Sequence, residues 1–292
     1  MARRRFLETA WRDKTAILQM KKLPRKGGGR SGKQDHFPDR KDRRRPRFSR
    51  APVVLYEDDA IVVLDKPAGL PAVPVRGSDT PSALSLLSAE LKLKRQRAFV
   101  VHRIDRFTSG VLLFAKTESD RDALVRQFLG HTPVREYLAV VRGRLGAKEG
   151  NLVHYFRREG MFQRLRTESD PQAARAELRY SVERPLLGAT LVRVALVTGL
   201  QNQIRVQFAA AGHAVMGDRK YHLAESSERR IARVALHATH LQFIHPRSGA
   251  NVSIDCELPP DFQSLLRALT IPGRRDATDR ALPPRLKDKT ES

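Results

Sequence analysis

The spacing of apolar and polar residues predicts a body of strands and helices over residues 51–270. Two apolar, β-branched runs at residues 53–56 and 61–64 flank an acidic turn, and this arrangement predicts a β-hairpin. Apolar and polar residues alternate with a period of two over residues 174–183, which predicts a strand with one solvated face. Further strands are predicted at residues 111–115, 137–141, 190–197 and 236–244.

Helices are predicted where apolar residues recur three or four positions apart. We expect the first helix to begin at Thr80-Pro81, because a capping residue there precedes a proline at the first helical position. A second helix should follow Thr117, which opens a Thr-x-x-Asp pattern, and should end at Gly130. Two more are predicted at residues 203–211 and 261–269. The elements lack the strict strand–helix alternation of a doubly wound fold.

The two ends of the chain differ in composition from this body. Residues 1–50 contain 18 Lys and Arg against 5 Asp and Glu, and they show only a partial helical face at residues 7–23. This composition predicts a basic arm that is disordered and binds RNA. Residues 271–292 are polar and contain proline, which predicts a C-terminal tail. The predicted organisation is therefore an arm, one domain at residues 51–270, and a tail.

The charge and cysteine content narrow the class of protein. A net charge of +23 favours a polyanionic partner, and RNA is the commonest polyanion. The single cysteine, Cys256, excludes a disulfide framework and a cysteine-based zinc site, and it indicates a reducing compartment. No apolar run typical of a secretory signal or a membrane span occurs. We therefore expect a cytoplasmic RNA-binding protein without a membrane segment.

Three segments concentrate residues that are suited to chemistry. Residues 65–70 (DKPAGL) predict a sharp turn after an apolar strand, and a plain turn is the simpler interpretation. Residues 102–110 (HRIDRFTSG) place Asp105 between two arginines, which suits a nucleophile or a base; a loop of surface ion pairs is the alternative. Residues 198–205 (TGLQNQIR) lead into a helix start that attracts anions, although ordinary capping also explains the Gly and Asn.

These segments resemble the motifs of the RluA-type pseudouridine synthases, and they follow the family's order between about residues 53 and 260. Residues 101–110 match the His-Arg-Leu-Asp-Arg-x-Thr-Ser-Gly signature, and residues 65–70 match the upstream Asn/Asp-Lys-Pro-x-Gly-Leu motif. Tyr137 matches the tyrosine of Lys-x-Tyr, and residues 198–205 match the Thr-Gly and Gln-Ile-Arg of a later motif. The resemblance implies an α+β fold: a single catalytic domain with a mixed, largely antiparallel sheet flanked by helices and loops.

The resemblance also implies the reaction and the residues that carry it. Family members isomerise uridines within ribosomal or transfer RNA to pseudouridine and use neither a cofactor nor a metal. Asp105 is implied to be the catalytic carboxylate and Arg205 its ion-pair partner, while Tyr137 is implied to pack on the uracil face. The target base must leave the RNA stack before it can react.

RNA contacts are implied at four further positions. Arg103 is the residue that would fill the gap left by the flipped base, since a guanidinium plane stacks on bases and bonds to phosphates. Lys66 is expected to support the site from the neighbouring hairpin, and Arg106 and Ile204 complete the predicted substrate- and RNA-binding set. We expect structured RNA as the partner, a monomer, and no nucleotide cofactor.

The chain departs from the family pattern beside the site. Leu200, Gln201 and Asn202 stand where the family usually has Arg-Thr-His, and Gln207 and Ala214 replace a usual His and Pro. These differences keep one alternative open: a catalytically impaired relative that acts as an RNA-binding or ribosome-assembly factor. The intact candidate catalytic set argues against it.

A metal-dependent nuclease is a second alternative, and it would need clustered carboxylates. The sequence shows one strongly placed carboxylate, Asp105. His237 and His240 lie three apart in a predicted strand, where odd spacing points side chains to opposite faces. No metal site is therefore predicted.

Deleting residues 1–50 is expected to weaken RNA binding and to flatten its dependence on salt. Each basic side chain that meets a phosphate releases counterions, so the logarithm of affinity falls more steeply with salt when more cations bind. Filter binding of the full chain and the truncated chain over a range of KCl concentrations measures the two slopes. Equal slopes would contradict an RNA-binding role for the arm.

Overall fold

A computed structural model describes residue 48 and residues 50–160, 162–221 and 230–271. The predicted basic arm, apart from residues 48 and 50, and the predicted C-terminal tail, apart from residue 271, lie outside these ranges. The described chain is built around one sheet of eleven strands that run in the spatial order β1-β2-β4-β10-β5-β9-β8-β6-β7, with β3 on β4 and β11 on β10. The strands are β1 Val53–Glu57, β2 Ile61–Lys66, β3 Phe99–Val100, β4 Ser109–Ala115, β5 Val134–Arg142, β6 Glu149–Glu159, β7 Phe162–Arg166, β8 Ala174–Leu186, β9 Ala189–Leu196, β10 Leu236–Ile244 and β11 Asn251–Asp255.

The ladders of the described sheet are antiparallel except for the pairing of β10 with β4, which is parallel. The predicted β1–β2 hairpin is confirmed by antiparallel pairing of Val53 with Asp65 and of Val54 with Leu64. The five other strands predicted from the hydrophobic pattern are all present. Strands β3, β6, β7 and β11 were not predicted.

The described residues form four helices beside the sheet: α1 Ala83–Leu93, α2 Glu118–Leu129, α3 Gln203–Ala210 and α4 Pro260–Ala268. The predicted start of α1 at Thr80-Pro81 is wrong. Ser82 caps this helix, because its hydroxyl accepts from the Ser85 N–H while the Ser85 hydroxyl accepts from the Ser82 N–H. The predicted start of α2 after Thr117 and its end at Gly130 are confirmed.

Gly110 allows strands β4 and β10 to approach closely at the point where the loop of residues 101–108 joins β4. Residue 110 has φ +111°, and a Cβ atom built there would overlap the carbonyl oxygen of Ala238 on β10. Only glycine accommodates both the backbone conformation and this contact. The parallel pairing of His237 with Ser109 and of Ala238 with Gly110 therefore depends on this residue. Gly110 therefore places the end of the loop of residues 101–108 next to β10 and its neighbour β5.

Candidate active site

Asp105 lies on the loop of residues 101–108, which connects β3 to β4. The loop is held by a turn in which the Thr108 N–H donates to the Asp105 carbonyl at 3.1 Å. It is also held by His102, whose buried Nε2 accepts from the Leu113 N–H at 3.1 Å. Burial lowers the pKa of His102 to about 3, so the ring is a neutral structural acceptor. These contacts leave the Asp105 carboxylate partly exposed, at 21%.

Arg205 reaches Asp105 from the first turn of α3, one hundred residues along the chain. Its Nη1 donates to Asp105 Oδ2 at 3.3 Å. The other side of the guanidinium forms a bidentate pair with Asp218, with Nε donating to Oδ2 at 2.7 Å and Nη2 to Oδ1 at 2.8 Å. Asp218 is buried, and although burial raises its pKa, the hydrogen bonds and charge of Arg205 outweigh this and lower it overall. Arg205 is thus a charged, anchored partner for Asp105.

Asp105 opens into a cavity of about 620 Å³ between the loop, α2, β5 and α3. The sequence candidates Arg103, Tyr137 and Ile204 also line this cavity. Tyr137 and Ile204 are buried in its wall, whereas Arg103 is exposed. Burial raises the pKa of Tyr137 to about 12, and the neighbouring Asp105 charge acts in the same direction, so the phenol is neutral at pH 7. The structure therefore brings five of the seven candidates together: Asp105, Arg205, Tyr137, Ile204 and Arg103.

Lys66 and Arg106 do not line the cavity, and both form hydrogen bonds between the turn at residues 65–70 and the loop of residues 101–108. Lys66 is fully buried, and its Nζ donates to the carbonyls of Pro67, Leu70 and Arg106 at 3.0, 2.8 and 3.2 Å. Arg106 exchanges hydrogen bonds with Gly69, because its Nε donates to the Gly69 carbonyl and its own carbonyl accepts the Gly69 N–H. The turn at residues 65–70 is therefore the support that fixes the Asp105 loop.

Replacing Lys66 with Met is expected to change how stability depends on pH. Burial lowers the pKa of Lys66 to about 7, so the folded protein releases this proton between about pH 7 and pH 10 while the unfolded chain keeps it. The wild type should therefore gain stability relative to Lys66→Met as the pH rises through this window, by on the order of 1 kcal/mol per pH unit. Urea unfolding at pH 7, 8.5 and 10 measures the difference, and Lys92→Met on exposed helix surface is the control. A difference independent of pH would contradict the expectation.

The turn that precedes α3 is built around Arg135. Gly199 is not in a left-handed conformation; instead, a Cβ atom there would lie 2.6 Å from Arg135 Nη1. Arg135 Nη2 donates to the carbonyls of Val197 and Thr198 at 3.3 and 3.4 Å. The Arg135 side chain thus packs against the turn, and the absence of a Cβ atom at Gly199 leaves room for it. The interpretation of Gly199 from the sequence, as part of an ordinary capped helix start, does not include this contact with Arg135.

The start of α3 differs from both interpretations offered by the sequence. The Leu200 N–H donates to Gln203 Oε1, and the Gln203 N–H donates to the Leu200 carbonyl, so these two donors serve internal acceptors rather than an anion. Asn202 occupies the capping position, but its side chain makes no capping hydrogen bond. The polar groups of this turn therefore bond to side chains of the protein, and the Asn202 side chain bonds to Arg205.

Within the described residues, no group of three or more His, Cys, Asp or Glu side chains is arranged to hold a metal ion. A bulge interrupts β10 between Ala238 and His240, so simple strand alternation does not set the directions of the His237 and His240 side chains. The two rings nevertheless have different partners. His237 contacts the Ser109 hydroxyl and the Cys256 carbonyl, and His240 contacts Asp255. None of the described helices is long and apolar enough to cross a lipid bilayer.

Comparison with known proteins shows to which family this chain belongs. The sequence model of a family described as RNA pseudouridylate synthase matches residues 60–210, about half of the chain. The chain belongs to this family. The match contains the loop of Asp105, strand β5 with Tyr137, and helix α3 with Arg205. The enzyme class predicted from the motifs, a pseudouridine synthase, is confirmed.

Curated relatives of this synthase cover most of its length. A protein of Zymomonas mobilis named ribosomal large subunit pseudouridine synthase D is 35% identical over 234 residues, which are 76% of this chain and 74% of the relative. A synthase D of Nitrosomonas europaea is 34% identical and covers 74% of this chain and 64% of the relative. A synthase C of Pasteurella multocida is also 34% identical, over 74% of this chain and 67% of the relative.

Solved structures confirm the fold of the synthase. Human RNA pseudouridylate synthase domain containing 4 superposes with a TM-score of 0.61 at 22% identity, over 73% of this chain and 91% of the human chain. Human RNA pseudouridylate synthase domain containing 1 superposes with a TM-score of 0.60 at 21% identity, over 71% and 84% of the two chains. At this identity the likeness concerns the fold, which is the predicted α+β arrangement with a mixed, largely antiparallel sheet.

The structure adds residues of the synthase to which sequence reasoning had given no role. Asp218 anchors Arg205, Arg135 supports the turn before α3, and Asn202 and Tyr221 contact each other beside Arg205. Gly212-His213 and Gly217-Asp218, before Tyr221, resemble a Gly-His-Pro-x-x-Gly-Asp segment of the RluA-type family, and this resemblance was the available signal for Asp218 and Tyr221. Nothing in the local sequence indicated that Asn202 would point away from its own helix end.

Proposed function

We propose that this enzyme isomerises one or more uridines in the RNA of the large ribosomal subunit to pseudouridine, with Asp105 as its catalytic carboxylate. The activity follows from the family, and the RNA target is supported by the names of the relatives, which are ribosomal large subunit pseudouridine synthases C and D. The observation that carries the residue assignment is the contact of 3.3 Å between Arg205 Nη1 and Asp105 Oδ2 at the wall of the cavity.

The proposed reaction exchanges one bond of uridine for another. The bond between N1 of uracil and C1′ of ribose breaks, the base turns, and C5 bonds to C1′. The proton leaves C5 and a proton is gained at N1, so substrate and product are isomers and no oxidant or reductant is needed. Asp105 can serve by attacking the sugar, attacking the base or removing a sugar proton. Each of these roles requires an ionised carboxylate, and Arg205 donates a hydrogen bond of 3.3 Å to it.

Tyr137 and Ile204 are proposed to hold the flipped uracil. Both side chains are buried in the cavity wall near Asp105, and the Tyr137 phenol is neutral because burial raises its pKa to about 12. A neutral ring packs on a base without adding a charge that would have to be desolvated. Tyr137 is also proposed to take part in removing the C5 proton, because it lines the same cavity as Asp105.

Arg103 is proposed to occupy the place that the flipped uridine vacates in the RNA. It lies two residues from Asp105 on the same loop, lines the cavity and is exposed. Extracting a stacked base costs a few kcal/mol, and a guanidinium that stacks in the gap offsets part of this cost. Lys66 and Arg106 are proposed to act indirectly, since their hydrogen bonds hold the Asp105 loop against the turn at residues 65–70.

Mapping pseudouridine at base resolution in total RNA tests this proposal. Cells with and without the gene are compared, and the deletion strain is complemented with the wild type or with Asp105→Ala. A site in large-subunit RNA that disappears on deletion and returns only with the wild type supports the proposal. A lost site in transfer RNA instead would overturn the ribosomal target. If no site is lost, the competing hypothesis of an RNA-binding or ribosome-assembly factor is favoured, and residues 200–202 become the altered segment to examine.

A further inference from the structure

Asn202 differs from an ordinary helix-capping asparagine in its backbone conformation and in the hydrogen-bond partners of its side chain. It occupies the capping position of α3 with φ +57° and ψ +18°, a left-handed conformation that asparagine tolerates better than most residues. An asparagine at this position commonly accepts a hydrogen bond from the helix start. Asn202 makes no such bond, although its side chain is buried. Helix capping therefore does not explain it.

The Asn202 side chain instead bridges Arg205 and Tyr221. Its Oδ1 accepts from Arg205 Nη1 at 2.8 Å, and its Nδ2 donates to the Tyr221 hydroxyl at 3.2 Å. The same hydroxyl accepts the Gln163 N–H of strand β7 at 3.3 Å. The Tyr221 ring lies under the guanidinium, with Arg205 Cζ 5.3 Å from the ring centroid. Asn202 thus connects the partner of Asp105 to a neighbouring strand.

The bond from Arg205 Nη1 to Asn202 helps to hold the guanidinium plane in the orientation that faces Asp105. A guanidinium carries five N–H donors in a rigid plane. Asp218 binds the edge of this plane that carries Nε and Nη2, which leaves Nη1 and its two hydrogens for other acceptors. Asn202 accepts at 2.8 Å from Nη1, the same atom that contacts Asp105 at 3.3 Å. With one Nη1 hydrogen directed to Asn202, the other is aimed at the carboxylate.

We propose that Asn202 is a positioning residue for catalysis, which holds Arg205 Nη1 towards Asp105. The proposal rests on the proposed function, because it assumes that Asp105 is the reacting carboxylate. Asn202 acts through Arg205 and does not itself touch the reacting atoms. Its loss should therefore lower kcat and leave RNA binding and KM largely unchanged. This also assigns a role to a position at which the chain departs from the family pattern.

Asn202→Gly is the decisive variant. Glycine adopts φ +57° without strain, so this change removes the side-chain contacts and keeps the backbone. Hydrogen bonds to charged groups are among the stronger ones, so kcat should fall about 10- to 100-fold while KM stays within about two-fold. Arg95→Gly is the matched control, because Arg95 also has a left-handed backbone, at φ +58°, and lies on the exposed surface after α1. Its kcat should equal that of the wild type.

Asn202→Asp tests whether the oxygen acceptor is the feature that matters. Aspartate also tolerates the left-handed backbone and keeps an oxygen for Arg205. It should retain kcat within about three-fold of the wild type and so rescue most of the loss seen with glycine. Steady-state pseudouridine formation on a large-subunit RNA fragment that carries the mapped uridine measures kcat and KM, and filter binding measures the affinity for that fragment.

The outcomes separate this inference from the proposed function. A folded Asn202→Gly enzyme with wild-type kcat, or an Asn202→Asp enzyme as slow as Asn202→Gly, would overturn the positioning role. A parallel fall in kcat, RNA affinity and melting temperature would assign Asn202 a merely structural role and would also overturn it. Turnover by Asp105→Asn would instead show that the proposed catalytic residue is wrong. If Asp105→Asn is inactive and Asn202→Gly is fully active, only the positioning role of Asn202 is overturned, and the proposed function stands.

Discussion

Replacing Asp105 with Asn is expected to abolish pseudouridine formation while leaving RNA binding intact. The amide keeps the shape of the side chain but removes the negative charge that attack or proton removal requires. We expect kcat to fall by at least about 10³-fold, since the cavity and its other residues remain but the reacting group is lost. Single-turnover assays on ribosomal RNA fragments measure the rate, and filter binding measures the affinity.

Asp122→Asn is the matched control for this experiment. Asp122 lies on the exposed surface of α2, where it pairs with Arg121 at 2.8 Å. The same chemical change there should leave both kcat and RNA affinity within about two-fold of the wild type, as is usual for surface substitutions. Retention of more than a tenth of the wild-type rate by Asp105→Asn would contradict the assignment. Loss of RNA binding by Asp105→Asn would mean that the residue serves affinity rather than chemistry.

Replacing Asp218 with Asn is expected to destabilise the protein and to slow catalysis together. The Asp218 side chain is 1% exposed and accepts from Arg205 and from the N–H groups of Lys220 and Tyr221. The amide would leave the Arg205 charge buried without its counter-charge, which costs about 3–5 kcal/mol. Urea unfolding measures this loss. Single-turnover kinetics should show a fall in kcat as well, because Arg205 would no longer be anchored towards Asp105.

A more exposed bidentate pair supplies the control for Asp218. Arg233 donates to both oxygens of Asp261 at 2.7 and 3.0 Å, but the Asp261 side chain is 51% exposed. Water screens this pair, so Asp261→Asn should cost no more than about 1 kcal/mol. Equal losses for Asp218→Asn and Asp261→Asn would show that burial does not set the cost. Combining Asp218→Asn with Arg205→Met should recover part of the stability, because the unpaired charge is then removed.

Local sequence patterns predicted elements well where local interactions decide the structure. The Thr117 cap of α2 was predicted because its partner, Asp120, lies three residues away and the cap closes within one helical turn. Strand β10 was predicted with its observed bounds, Leu236–Ile244, from a nine-residue run rich in apolar side chains. The start of α1 was placed two residues too early, because Thr80-Pro81 and Ser82 are both acceptable starts. The reciprocal bonds of Ser82 and Ser85 settle the choice.

The strands that sequence reasoning missed owe their structure to neighbours distant in the chain. Strand β6 carries charged and apolar side chains in no regular alternation and pairs with β8 and β7. Strand β11 is exposed at three of its five residues, and β3 has only two residues. Their stability comes from ladders completed by β8, β10 and β4, which no local window contains.

The sequence by itself determined the predicted strands and helices, the candidate loop at residues 102–110 and the choice of Asp105, Tyr137 and Arg205 as site candidates, since spacing and motifs are written in the chain. Only the tertiary structure decided what these residues contact. The approach of β4 to β10 at Gly110 and the packing of α3 beside that loop bring Arg205 to Asp105. The same packing buries Lys66, places Arg106 against Gly69 and turns Asn202 towards Arg205. Such contacts join segments up to one hundred residues apart, so they depend on the packing of the whole sheet rather than on local propensity.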